Sequence, residues 1–207
     1  MSINHNTVGD QLIGSAVNAI NQTCIDSELL KLSQQERAFE LAGEQMQKVR
    51  DFIASPGNIL GAMSTKHGEI AEQVEVGVRN ARQAIEERVQ DASDLSATFD
   101  GVGRTAPADY MIDGVDVESK FINGVNNNLN HVLQHMETYP NFTQGESFYH
   151  IPKDSWQTIQ NVIDGKPVEG LSEKTIQAIR DKVAEIESTT GRSFNDVVRP
   201  GVSDYKD

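Results

Sequence analysis

The stretch 108–121, ADYMIDGVDVESKF, constrains the fold of this chain more than any other. Two runs of alternating apolar residues flank Asp113-Gly114, and Asp-Gly supplies the two positive-φ residues that a tight type I′ hairpin turn demands. The spacing predicts two short antiparallel strands with a fixed register. Ile112 lies opposite Val115, Met111 opposite Asp116, Tyr110 opposite Val117, and Asp109 opposite Glu118. Directly opposed side chains have Cβ atoms about 5 Å apart, so the last pair sets two carboxylates against each other. A purely structural sheet avoids that pairing unless something positive sits between the acids.

Residues two apart on a strand share a face, so Glu118 points the same way as Lys120. Asp109, Glu118 and Lys120 then lie together. Two oxygen ligands suit a hard cation such as Mg²⁺ (or Mn²⁺), which keeps several waters and can turn one into a nucleophile. The lysine ammonium would stabilise developing negative charge or help deprotonate that water. Asp116 projects from the same face, either as a surface residue at the hairpin end or as an alternative ligand.

Upstream, Ile70, Val74, Val78, Ala81, Ile85 and Val89 recur at three- and four-residue steps and predict a helix over 65–90. Its first turn holds Glu69 and Glu72, three apart and therefore neighbours on the surface, with His67 just ahead. Acids complement the dipole at the start of any helix. The functional reading is that one of them, Glu69 before Glu72, reaches over the hairpin as a further metal ligand. Residues 91–105 read as a polar, glycine-bearing loop carrying Arg104.

A helix-borne Glu, an Asp leading one strand and Glu-x-Lys on the next resemble the PD-(D/E)XK nuclease superfamily, which includes many restriction enzymes and Holliday-junction resolvases. Pro107-Ala108-Asp109 stands where that family has Pro-Asp, with one residue inserted, and Glu118-Ser119-Lys120 matches its Glu-x-Lys. The resemblance spans roughly residues 65–151. It implies catalytic roles for Asp109, Glu118, Lys120 and Glu69, with Asp109, Glu118 and Glu69 as metal ligands. It also implies a crossover helix after Lys120, carrying Leu129, Val132, Leu133 and Met136, which leads to a third strand at 147–151 (SFYHI). His131 and His135, one helical turn apart, form a possible metal pair, and His150 could approach the phosphate; packed core or surface histidines are the competing reading.

The remaining chain reads as helical. Residues 8–20 and 27–54 form two helical segments, the second with a broad apolar face suited to a core or a partner. Ser55-Pro56-Gly57-Asn58 then breaks the pattern. Further helices are expected near 155–164, where Trp156 faces the core, and from Ser172 to Gly191, followed by a turn-rich tail from Arg199. The expected architecture is mixed α/β: a small central sheet with the active-site hairpin, flanked by many helices, plus an N-terminal helical extension. The expected divisions are a helical region at 1–56, a nuclease-like core at 57–165, and a C-terminal helix and tail at 166–207.

Composition sets the outer limits. A formal net charge of −13 disfavours binding to phosphate backbones, because that affinity comes largely from Lys and Arg displacing counterions. A nucleic-acid substrate, with DNA the expected polymer, therefore requires a local basic strip, a partner, or bound metal. Cys24 is the single cysteine, which excludes an intramolecular disulfide and a cysteine-based zinc cluster. No apolar run of about 18 residues exists, so no membrane span is expected. The N-terminus lacks a secretory layout, which makes the cytoplasm the expected compartment.

Two functions are consistent with this reading. One is a divalent-metal-dependent endonuclease of a bacterial defence (antiviral), toxin or DNA-processing system, with a protein partner or homo-oligomer formed through the N-terminal helices. The other is a non-enzymatic acidic interaction protein or DNA mimic, or a degenerate nuclease fold used for assembly.

Overall fold

A computed structural model describes residues 5–55, 66–103 and 107–206, with the side chains of 5–12 and 66–67 omitted. Pro56, Gly57 and Asn58 of the expected break lie outside the described residues, as does Arg104; the side chain of His67 does too. In chain order the elements are α1 (His5–Ala54), α2 (Lys66–Glu87), β1 (Ala97–Thr98), β2 (Tyr110–Ile112), β3 (Val115–Ser119), α3 (Val125–Thr138), β4 (Phe148–Ile151), α4 (Lys153–Ile163), α5 (Glu173–Thr190), α6 (Phe194–Val197) and β5 (Val198–Pro200). The fold is mixed α/β, as the sequence predicts.

Asp113 (φ 51°) and Gly114 (φ 76°) turn the hairpin, and the β2–β3 register is the expected one: Tyr110 with Val117, Met111 with Asp116, Ile112 with Val115. The expected fourth pair, Asp109 with Glu118, lies outside the ladder: the Asp109 amide instead donates to the Val117 carbonyl at 2.9 Å, so Asp109 and Tyr110 both face Val117. The sheet order is β1-β2-β3-β4-β5. The first three strands run antiparallel, and β3, β4 and β5 run parallel. Parallel neighbours need a crossover. Helix α3 provides it between β3 and β4, and α4 to α6 between β4 and β5.

Two cores cover the sheet. On one face Val76 of α2 packs with Ala97, Tyr110, Ile112, Val117 and Phe148. On the other, Tyr149 and Ile151 of β4 pack with Leu129 and Val132 of α3, Ile159 of α4, Ile179 and Ile186 of α5, and Phe194 of α6. Residues beyond 166 therefore share the core of α3 and α4. Trp156 is partly buried against it and donates its indole N–H to the Val198 carbonyl.

Local chemistry explains where the sequence reading shifts. Residues 5–54 form one helix, not two, because no proline interrupts them. Asn126, Asn127 and Asn128 form the first turn of α3. Gly124 precedes that turn at φ 92°, and the buried Asn128 amide donates to the Ile122 and Gly124 carbonyls and to Ser155 Oγ. The expected tail contains β5, whose pairing partner, β4, is remote in sequence. Ser172 caps α5 by accepting from the Thr175 amide, and Gly191 ends it at φ 66°, as expected.

Helix α1 packs through Leu41 and Ala42 against Ala81 and Ala84 of α2, with Ala38 and Val49 of the same helix also buried. On a neighbouring strip Ile25, Leu32, Phe39, Met46 and Ile53 recur every seven residues and stay exposed. Among the described residues no helix is long and apolar enough to cross a membrane.

Candidate active site

Three contacts bring the hairpin residues together. Ser119 donates its amide to Asp109 Oδ2 at 2.7 Å, which fixes the aspartate at the open end of the β2–β3 pair. The Asp109 and Glu118 carboxyls hydrogen-bond to one another. Lys120 Nζ contacts Glu118 Oε1, as the two-residue spacing on β3 requires. Glu118 is 6% exposed. Asp109, Glu118 and Lys120 thus converge.

Helix α2 adds a carboxyl. Glu72 of this helix senses both Asp109 and Glu118, with Glu69 one turn earlier acting on it as a further negative neighbour. A Cβ added at Gly68 would lie 3.8 Å from Glu72 Oε1, so the Glu72 carboxyl reaches back toward the helix start. The sequence reading put Glu69 before Glu72 as the helical acid.

Burial dominates the electrostatics. Loss of water, with Asp109 and Glu118 next in size, pushes Glu72 up to about 8 despite the opposing Lys120. Glu118 is likewise pushed up to about 8 by burial and by Asp109, against the pull of Lys120. Burial also raises Asp109, although the Ser119 amide and Lys120 act against it. The close lysine therefore does not compensate three crowded acids. Near neutral pH Glu72 and Glu118 hold protons, and those two protons supply the charge that one divalent cation carries.

That chemistry decides whether a hard metal fits. Among the described residues no group of three or more His, Cys, Asp and Glu side chains is arranged to hold a metal ion. Mg²⁺ needs fewer protein ligands, because it is commonly held by one or two carboxylates with waters completing its shell. The hydrogen-bonded Asp109–Glu118 pair, with Glu72 alongside, supplies such a donor set. It fits a hydrated hard cation rather than a closed cage.

Helix α3 and strand β4 contribute residues that sequence reasoning left in the background. Glu118 pairs with Tyr149 in the parallel β3–β4 register. His135 lies over both, with Nδ1 2.9 Å from the Tyr149 hydroxyl and Nε2 3.6 Å from Glu118 Oε1. Burial, followed by Lys120, lowers His135 to about 4, so the ring is neutral and its approach to Glu118 is not an ion pair. His131, its partner in the possible metal pair, is exposed. A shallow cavity of about 180 Å³ beside Lys120 is lined by His131, Gln134, His135 and Thr138.

His150 belongs to a different cluster. It is buried on the α2 side, with Nδ1 2.7 Å from the Tyr110 hydroxyl and 3.4 Å from Glu75 Oε1. Burial, with Arg79 and Arg199, lowers it to about 3. The packed-core reading of His150 is the one the structure shows. No protein-family model, curated protein or solved structure matches the chain.

Proposed function

We propose that the chain is a divalent-metal-dependent nuclease that hydrolyses phosphodiester bonds, related to the PD-(D/E)XK superfamily and acting on DNA in the cytoplasm. The observation that carries the reading is the convergence of Asp109, Glu118 and Lys120 in one buried site beside Glu72. The β3–α3–β4 crossover that the resemblance implies supports it further. A bound Mg²⁺ or Mn²⁺ would supply a water acidic enough to attack at neutral pH and would neutralise charge on the phosphate. Asp109 and Glu118 would hold the ion, with Glu72 or Glu69 as the helical acid. Lys120, next to Glu118, would orient the attacking water and stabilise negative charge on the phosphate oxygens. A local cation also answers the objection raised by the acidic chain.

The test is cleavage of single- and double-stranded DNA with Mg²⁺ and with EDTA by wild type, Glu118→Ala and Lys120→Ala. The expected result is Mg²⁺-dependent cleavage by wild type that both substitutions reduce by about 100-fold or more. Equal behaviour of all three proteins would sink the assignment.

A second reading, in which the chain acts through a protein partner or as a homo-oligomer, rests on the exposed seven-residue row of α1. Such a row is the pattern one helix presents to another. Light scattering of wild type and of Leu32→Glu/Phe39→Glu separates the outcomes. A mass that falls to the monomer in the variant supports self-association through α1, and a monomeric wild type removes it.

A further inference from the structure

We propose that His135 is the positioning residue of this site: its ring ties β4 and the approach to Asp109 to the carboxyl of Glu118, holding the two acids together for one cation. The proposal rests on the nuclease reading and adds a residue to it. His135 is 8% exposed and wedged among Tyr139, Phe142 and Tyr149, with ring centroids 4.7, 5.1 and 5.4 Å away. A ring so enclosed has one orientation. Tyr149 Oη lies 2.9 Å from Nδ1, and the backbone carbonyl of Pro107, two residues before Asp109, lies near the ring. With the ring proton on Nε2, Tyr149 O–H donates to Nδ1 and the ring N–H is left free to face the Pro107 and Glu118 side. Nε2 then faces Glu118 Oε1 at 3.6 Å, beyond hydrogen-bond reach but against the same oxygen that Lys120 contacts.

Three strands are thereby referred to one imidazole. Pro107 leads into β2, Glu118 sits on β3 and Tyr149 on β4, while α3 carries the ring. Loss of its bond to Tyr149 and of its packing beside Pro107 releases both the face of β4 against which Glu118 lies and the segment before Asp109. Partners one shell out from a metal ligand commonly contribute about 10- to 100-fold in metal affinity.

The experiment compares His135→Gln, which can accept from Tyr149 and donate toward Pro107, with His135→Leu, which fills the space and does neither. Mn²⁺ binding is measured by calorimetry, alongside the carboxyl ¹³C shifts of Asp109 and Glu118 in metal-free protein. The expected result is Mn²⁺ affinity 10- to 100-fold weaker and displaced carboxyl shifts in His135→Leu, both largely restored in His135→Gln, while the exposed His131→Ala matches wild type. Folded His135→Leu with wild-type affinity and shifts would overturn the proposal. So would a defect shared equally by the Leu and Gln variants, which marks a packing role. Wild type that takes up no Mn²⁺ would sink the metal reading instead, and the metal-free carboxyl shifts would then decide the role of His135.

Discussion

The Asp109 carboxyl hydrogen-bonds to the Glu118 carboxyl across the β2–β3 hairpin, and such a contact requires a proton. Two ionised acids in that position would repel, and one lysine cannot offset three buried acids. The hairpin therefore stores protons that an unfolded chain would have released.

Stability should accordingly depend on pH in a defined direction. Glu72 and Glu118 keep their protons up to about 8 when folded, against an ordinary value of 4.5. The stability they contribute is present below 4.5 and is lost as pH rises through 8. His135, near 4, and His150, near 3, act oppositely: their contribution is complete above their ordinary value of 6.5 and is lost as pH falls. The two effects oppose each other below pH 6.5, and above it the acid contribution keeps falling. The melting temperature of metal-free protein should drop between pH 6.5 and 8.5 by several degrees, on the order of 5 °C. Glu118→Gln should flatten that drop, and a flat wild-type profile would contradict the shared-proton arrangement.

Metal uptake should release those protons. At pH 7 a divalent cation entering the Asp109–Glu118 pair displaces the proton they share, and with Glu72 involved a second. Mg²⁺ titrations in buffers of different ionisation enthalpy should show between one and two protons released per ion, about two with Glu72 involved. Glu72→Gln should remove roughly one of the two. Binding with no proton release would place the ion elsewhere.

The two helical acids can be separated by the same substitution. Glu72 registers Asp109 and Glu118, while Glu69 lies one turn nearer the helix start. Glu72→Gln should lower Mg²⁺-dependent cleavage about 10-fold or more, and Glu69→Gln should lower it less. The reverse order would return the role of helical ligand to Glu69.

The hairpin was the most legible part of this chain, because turn chemistry and strand alternation act over a few residues. Asp113-Gly114 determines the register from Ile112–Val115 to Tyr110–Val117, strand alternation puts Lys120 beside Glu118, and Asp109 is brought in by the Ser119 amide just beyond the ladder. The helical acid was legible only as a pair, Glu69 before Glu72, since the rotation of α2 over the sheet depends on packing by Val76 against Tyr110 and Val117. His135 carried too little local signal to be placed. Its role follows from the parallel register of Glu118 with Tyr149, a pairing set by residues far apart in sequence. For the same reason β5 was read as tail: its three residues form a strand because β4 lies beside them. The long α1 was split in two because its apolar face drifts, although nothing in the chain breaks the helix.

Glu75 should be the electrostatic keystone of the C-terminal segment. It is 5% exposed, accepts from Arg79 Nη2 at 2.6 Å and Nε at 3.1 Å, and lies 3.4 Å from His150 Nδ1. Its other oxygen accepts from the Val202 amide at 2.5 Å, just beyond β5. The carboxylate thereby joins α2 to a segment 127 residues away. Removing one member of a buried ionic cluster leaves the others without partners and commonly costs about 3–5 kcal/mol. Arg79 is partly exposed and can recover hydration, so a loss of about 2–3 kcal/mol is expected for Glu75→Ala. Urea unfolding at pH 7 should show it as a lower midpoint. Limited proteolysis should cut near residues 201–206 sooner than in wild type. Gly201→Ala tests the same joint sterically, because its Cβ would stand 3.1 Å from Glu75 Oε2. It should destabilise in the same direction but by less, and an unchanged midpoint in both variants would remove Glu75 from this role.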